Sequence, residues 1–149
     1  MRSIGTFTSR QTEKNLKVSV PVIATKEACL AQETALTYLE LLILYIKDHK
    51  RSLLKPSNCD PNGLTDKIIG IIIQYLNLNQ TVDVLSLTMD YLRFIFTEYA
   101  KPTFEYRNSF CGDLVAALLG LCNSKLLDIR SKACSLLYLM FEVYINFFF

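Results

Sequence analysis

Apolar residues recur along most of this chain at the three- and four-residue spacing of amphipathic helices, and polar turn formers interrupt them in a few places. Ala28, Ala35, Leu39, Leu42 and Ile46 follow one another at intervals of seven, four, three and four, which sets them on one helical face. The spacing predicts a first helix over residues 25–50, with Thr25 as its N-cap and Glu27 in the first turn, where the helix dipole favours negative charge. The cationic run 47–51 suits the other pole. Residues 53–63 carry Pro56, Ser57, Asn58, Asp60, Pro61, Asn62 and Gly63, a density of turn formers that predicts a loop.

A second helix is expected over residues 64–77, although Ile68, Ile69, Ile71, Ile72 and Ile73 would also suit a buried strand. Thr81 opens a third, through residue 99, with Leu85, Met89, Leu92, Ile95, Phe96 and Tyr99 as its apolar stripe and Ser86, Asp90, Arg93 and Thr97 as its polar one. Residues 100–108, around Pro102, read as a loop, and a fourth helix follows over 109–122. The fifth runs from about residue 125 past 140, with Leu126, Ile129, Ala133, Leu136, Leu137 and Met140 facing inward. Asp128, Ser131, Lys132 and Ser135 face outward, Asp128 and Lys132 in the favourable i,i+4 order. No hairpin signal accompanies these helices, so the fold class is all-α.

The second and third helices can be laid over the fourth and fifth. Ile68 to Ile73 fall on Leu114 to Leu119, and Asn77 on Asn123, at a shift of 46. The shift becomes 45 where Asp83-Val84 match Asp128-Ile129 and Tyr91-Leu92 match Leu136-Leu137. Two helices per unit at a period of about 40 to 47 residues is the pattern of HEAT and armadillo arrays. It also favours a helix for the isoleucine-rich stretch, which takes the slot of an alanine- and leucine-rich one. The expected architecture is a HEAT/armadillo-like helical solenoid fragment of about five helices over residues 23–141, with a flexible N-terminal segment, 1–22, and an atypical apolar tail, 142–149. Within it, Asp128, Ile129, Arg130, Ala133 and Leu137 form a structural repeat motif. A small Ala133 lets the paired helix come close while Ile129 and Leu137 fill the groove on either side, and Asp128 and Arg130 are placed to tie neighbouring units. Arg130 as a partner-binding residue is the less favoured alternative.

Composition narrows the function classes. With 51% hydrophobic and 20% charged residues over 149 positions, the chain can bury a core. A net charge of +2, with Lys and Arg scattered among acids, argues against nucleic acid as a partner. Five cysteines without a C-x-x-C pair, and a single histidine, argue against a metal site and point to reduced, mostly buried thiols in a cytoplasmic protein. His49 stands between Asp48 and Lys50, no glycine is followed by Lys-Ser/Thr, and carboxylates fall singly on polar faces, so no catalytic or cofactor-binding residue is expected. The sequon Asn79-Gln80-Thr81 reads as a chance match. The N-terminus lacks the apolar stretch of a signal peptide. The apolar stretches 35–46, 68–78 and 134–149 fall short of the ~20 residues a spanning helix needs, so no integral membrane span is expected.

Three stretches resemble the DOCK (dedicator of cytokinesis) family of Rho-GTPase exchange factors, nearest its zizimin-like branches. Ala24-Thr25-Lys26-Glu27-Ala28-Cys29-Leu30 is similar to the family's "ATEACL" helix start. Thr103-Phe104-Glu105-Tyr106-Arg107 sits at the family's aromatic-Glu-x-Arg turn. Cys122-Asn123-Ser124-Lys125-Leu126, then Ile129-Arg130 and Ser135-Leu136-Leu137-Tyr138-Leu139-Met140, is close to the family's "CNSKL..IR..A..LLYLLMR" and is the most specific of the three. The resemblance implies the helical array just ahead of the exchange (DOCKER) domain and leading into it. No position here matches the exchange motifs, so it implies protein partners, with a Rho-family GTPase engaged only in a full-length protein. After Met140 the family continues with a polar run while this chain reads Phe141-Glu142-Val143-Tyr144-Ile145-Asn146-Phe147-Phe148-Phe149, which leads to the expectation of a truncated gene product. A solenoid cut from its neighbours bares apolar end faces, so self-association is expected. The alternative is a free-standing HEAT-like adaptor that binds partner proteins.

Overall fold

The isoleucine-rich stretch is a helix. The computed structural model describes residues 8–53, 64–104 and 110–148. Among them run α1 (Thr8–Asp48), α2 (Lys50–Leu53), α3 (Leu64–Asn77), α4 (Val82–Glu98), α5 (Ala100–Phe104), α6 (Phe110–Cys122) and α7 (Leu127–Phe148), with no strand among the described residues. In α3 the buried positions are Ile68, Ile69, Ile72, Ile73 and Leu76. That is the i, i+1, i+4, i+5, i+8 series of a 3.6-residue period, which a strand of period two cannot produce.

The chain divides into two compact units, Met1–Ala35 and Leu36–Phe149. In the second, α3 packs on α4 and α6 on α7, and the two hairpins lie side by side through α3 against α6 and α4 against α7. One core runs through both layers, from Ile69 and Ile72 through Leu92, Phe96, Leu114 and Leu118 to Ile129, Ala133 and Met140. Burial agrees at four pairs of positions in the repeat register. Ile68 and Leu114, Ile72 and Leu118, Val84 and Ile129, and Ile95 and Met140 are equivalent pairs, and all eight are buried. Thr88 stands where Ala133 stands in the second layer, and both are fully buried. Its hydroxyl is satisfied by donating to the Val84 carbonyl at 2.7 Å, the local bond that lets a threonine stand in for a small apolar residue.

The helix ends show where local chemistry and expectation part. Thr81 has the extended backbone of an N-cap (φ −67°, ψ 160°) but makes no side-chain cap bond. Its carbonyl accepts the first helical bond, from Leu85 N–H at 3.0 Å. The stretch 100–108, read as a loop, holds the short α5. Pro102 lies in its first turn, where a missing N–H leaves no helical acceptor unpaired. The Thr103 hydroxyl donates to the Tyr99 carbonyl at 2.6 Å, and Phe104 lies 5.3 Å from Phe96, closing one end of the core. Leu53, expected to open a loop, is instead the last residue of the helical turn α2.

The first helix starts at Thr8 rather than Thr25, so Thr25 is an interior residue and not an N-cap, and residues 8–22 of the expected flexible segment are helical. A proline inside a helix forfeits one backbone bond, and here α1 continues through Pro21. Ala28 is exposed, and between residues 23 and 48 the first buried position is Ala35. Leu126, expected to face inward, is exposed because it precedes α7 in the turn. None of Cys29, Cys111, Cys122 and Cys134 is fully buried: two are exposed and two half-buried, against the expectation of mostly buried thiols. Cys59, the 1–7 end of the N-terminal segment, the turn formers 56–63 and Glu105 to Arg107 lie outside the described residues. Ile23–Asp48 is long and apolar enough to cross a membrane by length and composition, a longer window than the stretch judged too short from the sequence. Its Leu39, Ile43 and Ile46 are buried inside the protein.

Truncating Phe96 to Ala should lower unfolding free energy by about 3–5 kcal/mol, and enlarging Ala133 to Leu by about 1–3 kcal/mol, both read from urea unfolding. An unchanged midpoint for Ala133→Leu would mean that this position is not enclosed.

Candidate interaction surfaces

Two polar features form where the layers meet, both built on α4. Along one side, α4 and α7 bound an open groove of about 620 Å³. Its walls carry Asp90, Arg93, Lys132, Ser135, Tyr138 and Glu142. Lys132 reaches across the seam and donates to Asp90 Oδ2 and to Ser86 Oγ, each at 2.7 Å. The i,i+4 pair with Asp128 expected from the sequence is therefore replaced by a tie to the other layer. The physical reason is reach: a lysine stem crosses the seam while its ammonium stays at the rim, with the Lys132 and Asp90 side chains 38% and 54% exposed. A pair so exposed contributes little to stability and fixes register instead.

The second feature is a latch between the last turn of α1 and the end of α4. The Tyr99 hydroxyl donates to the Ile46 carbonyl at 3.0 Å. Lys50 pairs with Glu98 at 2.9 Å and lies over the Tyr99 ring, while Lys47 lies over Phe94. The hydrogen bond to Glu98, and then its charge, hold the Lys50 ammonium above its ordinary value. Burial pushes the Tyr99 hydroxyl up against the opposing pull of Lys50, so it stays a neutral donor. On the far side of α3, burial raises the Cys111 thiol, and the nearby negative charge of Asp66 raises it further.

The repeat-motif residues separate into two groups. Ile129 and Ala133 are buried and Leu137 is half-buried, as close packing requires. Asp128 and Arg130 are exposed and form no ion pair among the described residues, so the tie between layers falls to Lys132 instead. Sequence reasoning missed Lys132, Asp90 and Ser86 as a set. The signal was present: Lys132 lies 46 positions after Ser86 and 42 after Asp90, which brackets the repeat. Nothing in the sequence marked the Tyr99 latch, since it joins residues 53 positions apart outside the repeat.

His49 is stacked on Tyr45 at 4.1 Å, with Nδ1 3.1 Å from the Tyr45 carbonyl. Among the described residues no group of three His, Cys, Asp or Glu could hold a metal ion.

No family model matches the chain. No solved structure matches it. Among curated proteins it is similar to dedicator of cytokinesis protein 9 of Homo sapiens, 32% identical over 114 residues, 76% of this chain and 5% of that protein. The Mus musculus protein of the same name is 32% identical over 114 residues, 6% of its length. Dedicator of cytokinesis protein 11 of Danio rerio is 31% identical over 114 residues, 5% of its length. The chain thus spans about a twentieth of the length of these relatives.

A double-mutant cycle on Asp90 and Lys132 should give a coupling of about 0.2–1 kcal/mol that shrinks in 1 M salt, where the screening length falls to about 3 Å. Coupling above about 2 kcal/mol, or indifferent to salt, would show the pair to be buried in solution.

Proposed function

Because the chain belongs to the dedicator of cytokinesis family, of whose members it matches a small part, we propose that it is a non-catalytic scaffold segment of a guanine-nucleotide exchange factor for Rho-family GTPases, without the exchange lobes. On this reading it is a cytoplasmic HEAT/armadillo-type array. The carrying observation is the stacking of α3/α4 on α6/α7 in one repeat register, with a single core through both layers. Stacked hairpins present long side surfaces and hold neighbouring modules at fixed spacing, because each layer's position is set by the one before.

The residue inventory supports the same reading. A protein that performs chemistry needs a nucleophile beside a base, or convergent donors around a reacting atom. The described residues bring Lys132 to Asp90 and Tyr99 to a carbonyl, which are positional contacts. Under this proposal GTPase contacts belong to other parts of a full-length protein. A free-standing adaptor remains the second reading, favoured by the α4/α7 groove, where Arg93 and Glu142 form no ion pair among the described residues.

Release of a fluorescent guanine nucleotide from Rho-family GTPases should proceed at the spontaneous rate with this chain at micromolar concentration. Exchange lobes of a full-length relative should accelerate release with or without the homologous segment. Acceleration by this chain alone, or lobes that lose exchange on its removal, would overturn the scaffold assignment.

A further inference from the structure

The first layer is covered on both sides, and the second on one. Asp66 and Tyr75 lie nine positions apart on α3, which at 3.6 residues per turn, about 100° per residue, puts them on opposite sides of the helix. Tyr75 stacks on Tyr38 of α1, with ring centroids 6.1 Å apart. Asp66 is on the side of α6, close enough to act on Cys111. Residues 36–48 of α1 and the α6/α7 hairpin therefore sandwich α3/α4, and their outer faces are the two ends of this stack.

Both ends are apolar. On α7, Leu127, Tyr138, Phe141 and Ile145 are exposed at helical spacing along one stripe, with Leu119 of α6 exposed as well. On α1 the outward residues are Leu41, Leu44 and Tyr45. The repeat says what the first of these faces is built for. Phe141 is the equivalent of Phe96, and Leu119 of Ile73. In the first layer Phe96 is 0% exposed and Ile73 7%, inside the shared core, whereas Phe141 is 49% exposed and Leu119 53%. The second layer thus repeats a surface that, one layer earlier, is closed by a neighbouring helical layer. Ala116 of α6, also exposed there, is small enough to admit a helix closely. The borders carry opposite charge: Glu40 is exposed beside the α1 stripe and Arg130 beside the α7 stripe.

We propose that copies of this chain stack end to end, the α6/α7 outer face of one copy receiving the α1 outer face of the next. The contact extends the interlayer seam already present within one copy, and its two halves are different surfaces, so it is heterologous. A heterologous contact that does not close into a ring adds copies without limit. The inference deepens the scaffold reading and rests on its layered-array part.

The test blocks each end in turn. Leu41→Glu with Leu44→Glu closes the α1 end, and Leu127→Glu with Phe141→Glu closes the other; all four positions are at least half exposed or close to it. Sedimentation velocity on the unmodified chain should show an average mass that keeps rising with concentration. Each blocked variant alone should be a monomer, and their equimolar mixture should stop at one copy of each. A monomeric unmodified chain, a blocked variant that still self-associates, or a mixture that stays monomeric would each overturn the proposal. Circular dichroism keeps the two readings apart: unchanged helix content with no stacking removes the stacking and leaves the layers intact. If a glutamate variant loses helix content, the serine versions at the same positions carry the test with the same expected masses.

Discussion

A helix with apolar residues on two sides cannot be satisfied by a single partner, and the rest of this structure follows from that constraint. Phe96 and Ile73 of the first hairpin are buried in a core that the second hairpin shares, and removing the second would open that core to water. Fully burying a side chain of this size is worth about 1.5–3 kcal/mol, so a few such residues rival the net stability of a whole domain. The interlayer seam is therefore the main stabilising contact, and the hairpins are units that need company. The same constraint explains why the unmatched faces at the two ends remain apolar.

Polar groups set the geometry of the seam without supplying most of its energy. Every buried side-chain nitrogen or oxygen among the described residues has a hydrogen-bond partner. Thr88 and Thr103 bond back to carbonyls four residues earlier, which lets a hydroxyl sit in an apolar core with little penalty. Lys132 spans α7 to α4 and fixes one layer's register on the other, while Tyr99 anchors the last turn of α1 to the end of α4. These contacts choose among packings that hydrophobicity alone would leave nearly equal.

Much of this was legible in the residues. The bounds of α3 and α6, the helical state of the isoleucine-rich stretch and the burial of Ile129 and Ala133 all followed from 3.6-residue periodicity and the 46-residue shift. The family resemblance rested on short blocks around Cys122 and Ser135, and the sequence comparisons agree with it. What failed was punctuation and long-range polar contact. Thr25 looked like a helix start because the lead-in is polar, yet a helix does not require an apolar face to form. Pro102 looked like a loop because a proline in a first turn reads the same as one in a turn. Lys132 was assigned to Asp128, four residues away on its own helix, because local pairs are visible in a sequence and cross-layer pairs appear only once the layers are stacked. The thiols were expected to be mostly buried because cysteines usually are, but Cys134 falls on the exposed stripe of α7.

Native-state hydrogen exchange on α3, α4, α6 and α7 tests the shared core most directly, because it reports whether two hairpins open together or apart. If one core joins the layers, the slowest amides of α4 and of α7 will exchange with the same free energy and the same denaturant dependence. If α6 and α7 exchange through a separate, lower-energy opening while α3 and α4 stay protected, the layers do not depend on one another and the account is wrong.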